Sequence, residues 1–211
     1  MSGCLGVVGA TGLVGRTMLA ILAERQVPVS SVRLFASNRL SGRTMNFRGR
    51  TVPVEALGES SFDGLDLVLF AAGNAVSELW APRAVAAGAR VVDNSSAFRY
   101  CDDIPLVVPE INGALLEGLP SLVANPNCST IAVVMALAPL ARVASLRRVW
   151  VATYQSVSGA GARALEELEQ GVRAGLEGPP PLREGGAAPY AFNVVPQIAA
   201  FDDTGYTREE M

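Results

Sequence analysis

The chain has 211 residues, and 50% of them are hydrophobic, which is enough for a sizeable buried core. Its net charge is −3 and its basic residues are scattered, so we expect no nucleic-acid partner. No apolar run approaches the ~20 residues that cross a bilayer, and no basic leader precedes the first apolar run. We therefore predict a soluble, cytoplasmic protein without a membrane partner.

Cysteine and histidine usage limits the chemistry that the chain can perform. The three cysteines, Cys4, Cys101 and Cys128, are widely spaced, which fits a reducing compartment better than a disulfide framework. The chain contains no histidine, and this removes both the commonest zinc ligand and the commonest general base. We therefore predict no metal site.

Short β-branched runs alternate with helical patterns through the first part of the chain. This alternation predicts parallel βαβ units, and several runs are apolar throughout, as in strands that are covered on both faces. The predicted strands are 5–8, 31–35, 51–54, 65–70, 90–92, 106–108 and 121–124, and the predicted helices lie near 13–25 and 76–87.

A glycine-rich loop follows the first predicted strand and begins the first predicted helix. Its sequence is Gly9-Ala10-Thr11-Gly12-Leu13-Val14-Gly15. Glycines allow the backbone to approach a pyrophosphate closely, and the helix N-terminus supplies N–H donors, although such turns also occur for packing alone. We predict an α/β protein whose first domain, residues 1–125, is an NAD(P)-binding, Rossmann-like parallel sheet.

The residues after the second predicted strand indicate which cofactor is bound. An NAD site places Asp or Glu at this point to accept hydrogen bonds from the ribose hydroxyls. This chain instead has Ser37, Asn38 and Arg39, and a hydroxyl with a guanidinium suits a 2′-phosphate. We therefore predict NADP, and we interpret the nearby Arg43 as a solvated surface residue.

Cys128 lies where an apolar helix is predicted to begin. The sequence Asn-Pro-Asn-Cys-Ser-Thr at 125–130 precedes an apolar run, so residues 127–130 are predicted to form the first turn of a buried helix. Unpaired N–H groups and the positive end of the helix dipole favour a thiolate there. A lone cysteine in apolar surroundings is ordinarily inert packing, but the polar residues on both sides of Cys128 favour a nucleophile.

Residues 126–211 are predicted to form a second, incomplete domain. Alternating polar and apolar side chains at 147–157 predict a long strand, and apolar spacing at 160–176 predicts an amphipathic helix followed by a loop to Pro189. Thr207 and Glu210 are typical of a helix start. Because a natural terminus rarely falls inside a helix, we expect that the chain is truncated at its C-terminus.

The motifs, in their order and spacing, resemble the bacterial aspartate-semialdehyde dehydrogenase family from Leu5 to Met211. The segments that carry the resemblance are the glycine-rich loop, 37–39, 92–99, 108–112, 125–130, 155–161 and 193–198. The resemblance implies that NADPH reduces L-aspartyl 4-phosphate to L-aspartate 4-semialdehyde with release of phosphate. This step leads to lysine, threonine, methionine and isoleucine. The resemblance also implies an α+β catalytic domain that forms a homodimer.

The same resemblance implies roles for individual residues. Cys128 forms a thioacyl intermediate, and Gln155 orients that intermediate. The implied substrate-binding residues are Arg99, which holds the phosphoryl group, Asn127, and Glu209, which binds the substrate ammonium. Ser158 and Gly159 are expected to lie against the nicotinamide.

Several parts of the family pattern are absent from this sequence. The family continues with a lysine, an arginine, a histidine acid/base and a C-terminal helix. Since acid–base assistance is worth ~10²- to 10⁴-fold, we expect the 211-residue chain to be nearly inactive alone. A second possibility is N-acetyl-glutamyl-phosphate reductase, which usually has Asn-Pro-Gly-Cys followed by an aromatic residue, so Asn127 and Ser129 argue against it. A third is a non-catalytic NADP-binding homologue, which the missing histidine leaves open.

Overall fold

The computed structural model describes residues 3–196, 198, 201 and 203–207. The chain divides into two compact units, 1–153 and 154–211. The domain boundary predicted near Asn125 stays a prediction. No helix within the described residues is long and apolar enough to span a membrane.

The first unit is a seven-stranded sheet with helices between its strands. The strands are β1 Gly3–Val8, β2 Val29–Ala36, β3 Thr44–Phe47, β4 Arg50–Ala56, β5 Leu67–Phe70, β6 Arg90–Asp93 and β7 Leu122–Ala124. The helices are α1 Leu13–Glu24, α2 Asn74–Ala86, the single turn α3 Pro109–Asn112 and α4 Cys128–Val143. The strand order is β3-β4-β2-β1-β5-β6-β7, and every neighbouring pair is parallel except β3 with β4. The predicted Rossmann-like α/β fold is therefore confirmed.

Five parallel strands reach a shared register at their carboxyl ends, where β1, β5, β6 and β7 end and β2 continues for one more residue. Val8 pairs with both Phe35 and Phe70, Phe70 pairs with Asp93, and Asp93 pairs with Ala124. The segments that follow these residues consequently leave the sheet along one carboxyl edge. The chain order reverses at β1, with β2 on one side and β5 on the other. Ligands of open α/β sheets bind at such a reversal, outside the carboxyl ends of the strands.

The sheet is buried on both faces, which explains the continuous apolar runs in its strands. Successive residues of β1 point to opposite faces, so that Val7 and Val8 belong to different hydrophobic clusters. On the face to which Val8 points, the ring of Phe62 lies 5.9 Å from that of Phe35 and 6.2 Å from that of Phe70.

The antiparallel strand β3 was not predicted. Its hairpin with β4 limits the length over which β4 pairs with β2. The backbone of Val54 donates to the Arg43 carbonyl at 2.8 Å and so faces β3, which leaves the nitrogen of Pro53 facing β2. Proline has no N–H to donate. The pairing of β2 with β4 accordingly begins only at Leu34 and Val54.

Three sequence-based predictions in the first unit and at its end were wrong. The predicted strand 106–108 reduces to one bridge between Leu106 and Ala124, because Pro109 begins α3 directly. Residues 147–156 contain no strand, and residue 157 begins a 3-10 turn. Helix α4 forms, but none of its residues is buried, so it is not the buried helix that was expected. Apolar composition and alternation describe the side chains, but a strand also needs a neighbouring backbone and a buried helix needs a covering surface.

The second unit is built around α5, Ala162–Gly175, which confirms the helix predicted near 160–176. Its buried Ala164 and Gly171 form the inner face, and a Cβ at Gly171 would lie 3.0 Å from the Cβ of Ala191. Arg163 forms ion pairs with Glu167 and Glu184 on the outer face. The helix start predicted at Thr207 extends into residues 208–211, which lie outside the described residues.

Candidate active site

The glycine-rich loop joins β1 to α1 at the carboxyl edge of the sheet. The N–H groups of Gly9 and Ala10 both donate to the carbonyl of Phe35 in β2, at 2.9 and 3.1 Å. Gly12 caps α1 with extended backbone, and neither a capping side chain nor an acidic residue lies at this helix start. The N–H groups of Leu13 and Val14 have no carbonyl partner within the helix, and both residues are exposed. The loop therefore presents a helix N-terminus that no side chain caps, and such an N-terminus suits a phosphate.

Two glycines in this loop are required by close backbone contacts. Gly9 has a φ of +82°, and a Cβ there would lie 2.4 Å from the carbonyl oxygen of Ala71 after β5. A Cβ at Gly15 would lie 2.3 Å from the carbonyl oxygen of Gly9. These contacts press the loop against both α1 and the segment that begins α2. The residue pattern alone could not distinguish this packing role from a role in binding.

The predicted 2′-phosphate residues follow β2. Ser37, Asn38 and Arg39 are all exposed, and a short 3-10 turn runs from Asn38 to Leu40. The turn lies at the same edge of the sheet as the glycine-rich loop, one strand away. A hydroxyl, an amide and a guanidinium are thus accessible to a ligand that spans β1 and β2.

Arg99 is held between the segments that follow β6 and β7. Its Nε donates to the carbonyl of Asn125 at 2.9 Å, and one Nη donates to the carbonyl of Asn94 at 3.2 Å. The two asparagines are themselves joined, since Asn125 Nδ2 donates to Asn94 Oδ1 at 2.5 Å. The half-buried guanidinium is fixed by two neutral carbonyls rather than by a carboxylate, so its positive charge is available to an anion.

Cys128 is exposed at the first position of α4, directly behind its cap. Asn127 Oδ1 accepts hydrogen bonds from the backbone of Ser129 at 2.8 Å and of Thr130 at 3.4 Å, and from the Ser129 hydroxyl at 2.6 Å. This is a strong N-cap, and it fixes the thiol at the positive end of the helix. The prediction that α4 begins at this turn is therefore confirmed.

The other two cysteines lie elsewhere. Cys101 is exposed in the segment between β6 and α3. Cys4 lies near the start of β1, at the opposite end of the strand from the glycine-rich loop. Hydrogen bonds with Ser31 and Ser30 lower the pKa of the Cys4 thiol. A thiol-directed reagent must therefore be assigned to a cysteine by peptide mapping.

Asp93 is a functional candidate that the residue pattern did not reveal. It ends β6 and is fully buried, with hydroxyl donors from Ser77 and Ser95 each 2.6 Å from its carboxylate. The sequence predicted a strand over 90–92 and a family resemblance over 92–99, but it assigned no role to Asp93. One of its two donors, Ser77, lies in α2 and is distant in sequence, so the residues around Asp93 do not reveal this contact.

The remaining predicted residues lie in the second unit or outside the described residues. Ser158 follows Gln155 closely, and its backbone and hydroxyl both hydrogen-bond to Ser156 Oγ, at 3.3 and 3.1 Å. Gly159 lies in the same 3-10 turn. Glu209 lies outside the described residues. The structure thus places the glycine-rich loop, residues 37–39, Arg99, Asn127 and Cys128 along one edge of the first unit.

Two families match this chain. The family described as "Semialdehyde dehydrogenase, NAD binding domain" matches residues 5–119, which include the glycine-rich loop and Arg99. The family described as "Semialdehyde dehydrogenase, dimerisation domain" matches residues 137–211.

Curated relatives are similar over nearly the whole chain. An aspartate-semialdehyde dehydrogenase from Aquifex aeolicus is 46% identical over 98% of this chain and 62% of its own length. One from Legionella pneumophila is 48% identical over 98% of this chain and 60% of its own length. The chain therefore spans about three fifths of the length of these relatives.

Solved structures of aspartate semialdehyde dehydrogenases are also similar to this chain. A Vibrio cholerae aspartate semialdehyde dehydrogenase II in complex with ASA has a TM-score of 0.93 and 43% identity, and the match covers 100% of this chain and 63% of that one. A Candida albicans aspartate semialdehyde dehydrogenase with NADP has a TM-score of 0.55 and 25% identity, and that match covers 67% of this chain and 47% of the other.

Proposed function

Because the chain belongs to the aspartate-semialdehyde dehydrogenase family, we propose that the complete protein reduces L-aspartyl 4-phosphate to L-aspartate 4-semialdehyde with NADPH. The product would feed the synthesis of lysine, threonine, methionine and isoleucine. The observation that carries this proposal is the exposed Cys128 at a capped helix start, on the same edge of the sheet as an arginine that the segments after β6 and β7 hold. A thiol and a cation at one edge suit attack on an acyl phosphate.

Cys128 is the nucleophile of the proposed reaction. Its thiolate attacks the acyl carbon, a C–S bond forms, and the C–O bond to phosphate breaks with release of inorganic phosphate. A nicotinamide cofactor held at the glycine-rich loop and residues 37–39 would supply the hydride, and Cys128 would leave the acyl carbon as a thiolate when the C–S bond breaks. The helix start that Asn127 caps stabilises negative charge on this sulfur before the attack and after the release.

Arg99 and Asn127 are the proposed phosphate-binding residues in this part of the chain. The carbonyls of Asn94 and Asn125 engage two N–H directions of the guanidinium, and its remaining donors can bind phosphoryl oxygens. Asn127 is the N-cap of α4 and adjoins Cys128, and an amide can donate to phosphate without titrating. Glu209 is proposed to bind the substrate ammonium.

The glycine-rich loop fits a dinucleotide. An uncapped helix start without acidic residues offers N–H donors and a positive dipole end to the pyrophosphate. Ser37, Asn38 and Arg39 support NADP over NAD, since the turn after β2 carries a cation and no acid. Ser158 and Gly159 are proposed to lie against the nicotinamide, and Gln155 is proposed to donate to the oxygen of the thioacyl group.

The domain division and the assembly are part of the same proposal. We propose a nucleotide-binding domain over 1–125 and a catalytic and dimerisation domain from 126 onward. The match of 137–211 to a dimerisation domain supports a homodimer. The location of the protein is proposed to be cytoplasmic.

A second candidate is a non-catalytic NADP-binding homologue. This candidate stays open because these 211 residues, about three fifths of the length of the relatives, contain no histidine that could act as an acid or base. This candidate predicts tight NADPH binding together with a Cys128 that does not acylate.

One experiment separates the two candidates. Wild-type complete protein and the Cys128→Ser and Cys101→Ser variants would be mixed with NADPH and aspartyl phosphate, and NADPH oxidation would be followed by absorbance. The dehydrogenase proposal predicts that Cys128→Ser loses at least ~10³-fold in turnover and that the exposed control, Cys101→Ser, stays within about twofold. Equal rates for the two variants would overturn it.

A binding measurement on the same proteins completes the test. NADPH fluorescence should titrate equally in all three proteins, and mass mapping should find an acyl adduct on the Cys128 peptide when NADPH is omitted. Tight NADPH binding without an adduct would favour the non-catalytic homologue.

A further inference from the structure

The buried carboxylate of Asp93 has no role in the proposed reaction. It is 0% exposed at the end of β6, with Ser77 also at 0% and Ser95 at 7%. The Ser77 hydroxyl donates to one carboxylate oxygen at 2.6 Å, and the Ser95 hydroxyl donates to the other at 2.6 Å. Burying a carboxylate is costly, so a group retained at this position needs both of its donors.

The two serines belong to different elements. Ser77 lies in the first turns of α2, whereas Ser95 lies in the loop 94–99 that leaves β6. A carboxylate can accept at both oxygens simultaneously, whereas an amide has only one accepting oxygen. Asp93 therefore ties the loop 94–99 to α2 by accepting hydrogen bonds from both hydroxyls at once.

The connection continues along the loop toward Arg99. Ser95 Oγ also accepts from the backbone N–H of Ala97 at 3.1 Å, which folds the loop over the buried carboxylate. The next residue is clamped from α2 as well, because Asn74 Oδ1 accepts from the Ser96 N–H at 3.1 Å and Asn74 Nδ2 donates to the Ser96 hydroxyl at 2.8 Å. The loop thus reaches Arg99 with its path fixed at two consecutive residues.

The position of Arg99 depends on that path. Its guanidinium is oriented by the carbonyl of Asn94, at the start of the same loop, and by that of Asn125 after β7. If Ser95 were released, the Asn94 carbonyl and the Cα of Arg99 could both shift. An anion-binding guanidinium that moves by about an ångström loses much of its benefit.

We propose that Asp93 and Ser95 are positioning residues that hold the loop 94–99 so that Arg99 is presented to the phosphoryl group. The inference rests on the proposed phosphate-binding role of Arg99. The two hydrogen bonds of this carboxylate differ in what they hold, since Ser95 belongs to the loop itself whereas Ser77 belongs to α2.

Ser95→Ala and Ser77→Ala are matched variants for the test. Each removes one buried hydroxyl that lies 2.6 Å from the same carboxylate, so both should lower the urea midpoint of the complete protein by a similar amount. The site is read out as the inorganic phosphate concentration that half-protects Cys128 from alkylation, with mass mapping to exclude Cys4 and Cys101. NADPH affinity, measured by fluorescence, serves as the control for the nucleotide loop.

We expect Ser95→Ala to raise the half-protecting phosphate concentration about tenfold, the size of one lost charge-assisted hydrogen bond. Ser77→Ala should stay within about twofold, and both variants should bind NADPH as wild type does. Asp93→Ala, a second variant in case one serine variant folds poorly, removes both acceptors and should weaken phosphate protection as Ser95→Ala does.

Two results would overturn the inference. The first is equal phosphate protection in Ser95→Ala and wild type, and the second is equal weakening by the two serine variants. A failure of the proposed function would look different, because phosphate would then not protect Cys128 in the wild-type protein and Arg99→Gln would change nothing. The positioning role would fall with it in that case.

Discussion

Strand β5 and the segment 128–153 are both apolar, but only the strand contains buried residues. Val68 and Phe70 in β5 are 0% exposed, whereas Val143 and Trp150 are each 82% exposed. Every residue from 141 to 153 is exposed. The difference shows that an apolar sequence is not sufficient for burial. In this chain, the apolar segment that pairs with neighbouring strands contains the buried side chains.

The backbone explains the contrast. Strand β5 has β1 on one side and β6 on the other, so its ladder is complete and both of its faces are available for packing. Among the described residues, none of 145–153 lies in a strand. Exposed apolar surface of this extent is typical of an interaction site.

The largest effect should come from truncating one large side chain in each region. Phe70→Ala removes a ring from a fully buried cluster and should lower the free energy of unfolding by about 3–5 kcal/mol. Trp150→Ala removes a larger ring that is mostly in solvent and should change it by less than about 0.5 kcal/mol. Urea unfolding of the 211-residue chain, followed by circular dichroism, measures both values.

Comparable decreases in the free energy of unfolding of the two variants would contradict the contrast between β5 and the segment 128–153, because Trp150 would then have to be buried in solution. Phe192→Ala, in the second unit, serves as a further exposed-aromatic control, since Phe192 is 69% exposed.

An intermediate effect should come from the cap of α4. Asn127→Ala removes the acceptor for two backbone N–H groups and should lower the stability of helix α4 by about 1 kcal/mol. Because α4 buries no residue, this loss should stay local. Hydrogen exchange should quicken for the amides of α4, while the urea midpoint of the sheet hardly moves.

Asn127→Asp is the matched control for this prediction. Its carboxylate can still accept both hydrogen bonds, and its charge favours a helix N-terminus, so the protection of α4 should be kept. A cooperative loss of sheet protection in Asn127→Ala would mean that α4 is coupled to the core.

The smallest effect should come from a substitution that extends the pairing between β2 and β4. Pro53→Val supplies an N–H that faces β2 and can donate to the carbonyl of Val32, which would lengthen the β2–β4 ladder. The added hydrogen bond and the loss of the restriction that proline imposes on the unfolded chain nearly cancel, so stability should change by less than about 1 kcal/mol. The readout is a protected amide at position 53. Rapid exchange there would show that the two strands diverge for another reason.

The parts of the fold that were predicted correctly are specified by nearby residues. The glycine-rich loop sets the end of β1 and the start of α1, and Asn127 followed by Ser129 and Thr130 sets the start of α4. Each signal acts within a few positions of the chain. The prediction therefore identified the strand ends from which the proposed site is built.

The parts that were missed depend on partners far away in the sequence. Asp93 is satisfied by Ser77, and the end of the β2–β4 pairing depends on Pro53 and on β3. The strand predicted at 147–157 had the right alternation but no neighbouring strand among the described residues. Burial and pairing are properties of two segments together, and one segment does not reveal them.

The common register at Val8, Phe35, Phe70, Asp93 and Ala124 also restricts how the protein can be redesigned. One residue inserted into any of these strands would advance its loop by about 3.3 Å and turn its side chains to the opposite face. A loop beyond the row could change in length without moving the other loops. Libraries that alter substrate or cofactor preference should therefore vary the loops and keep the length of every strand.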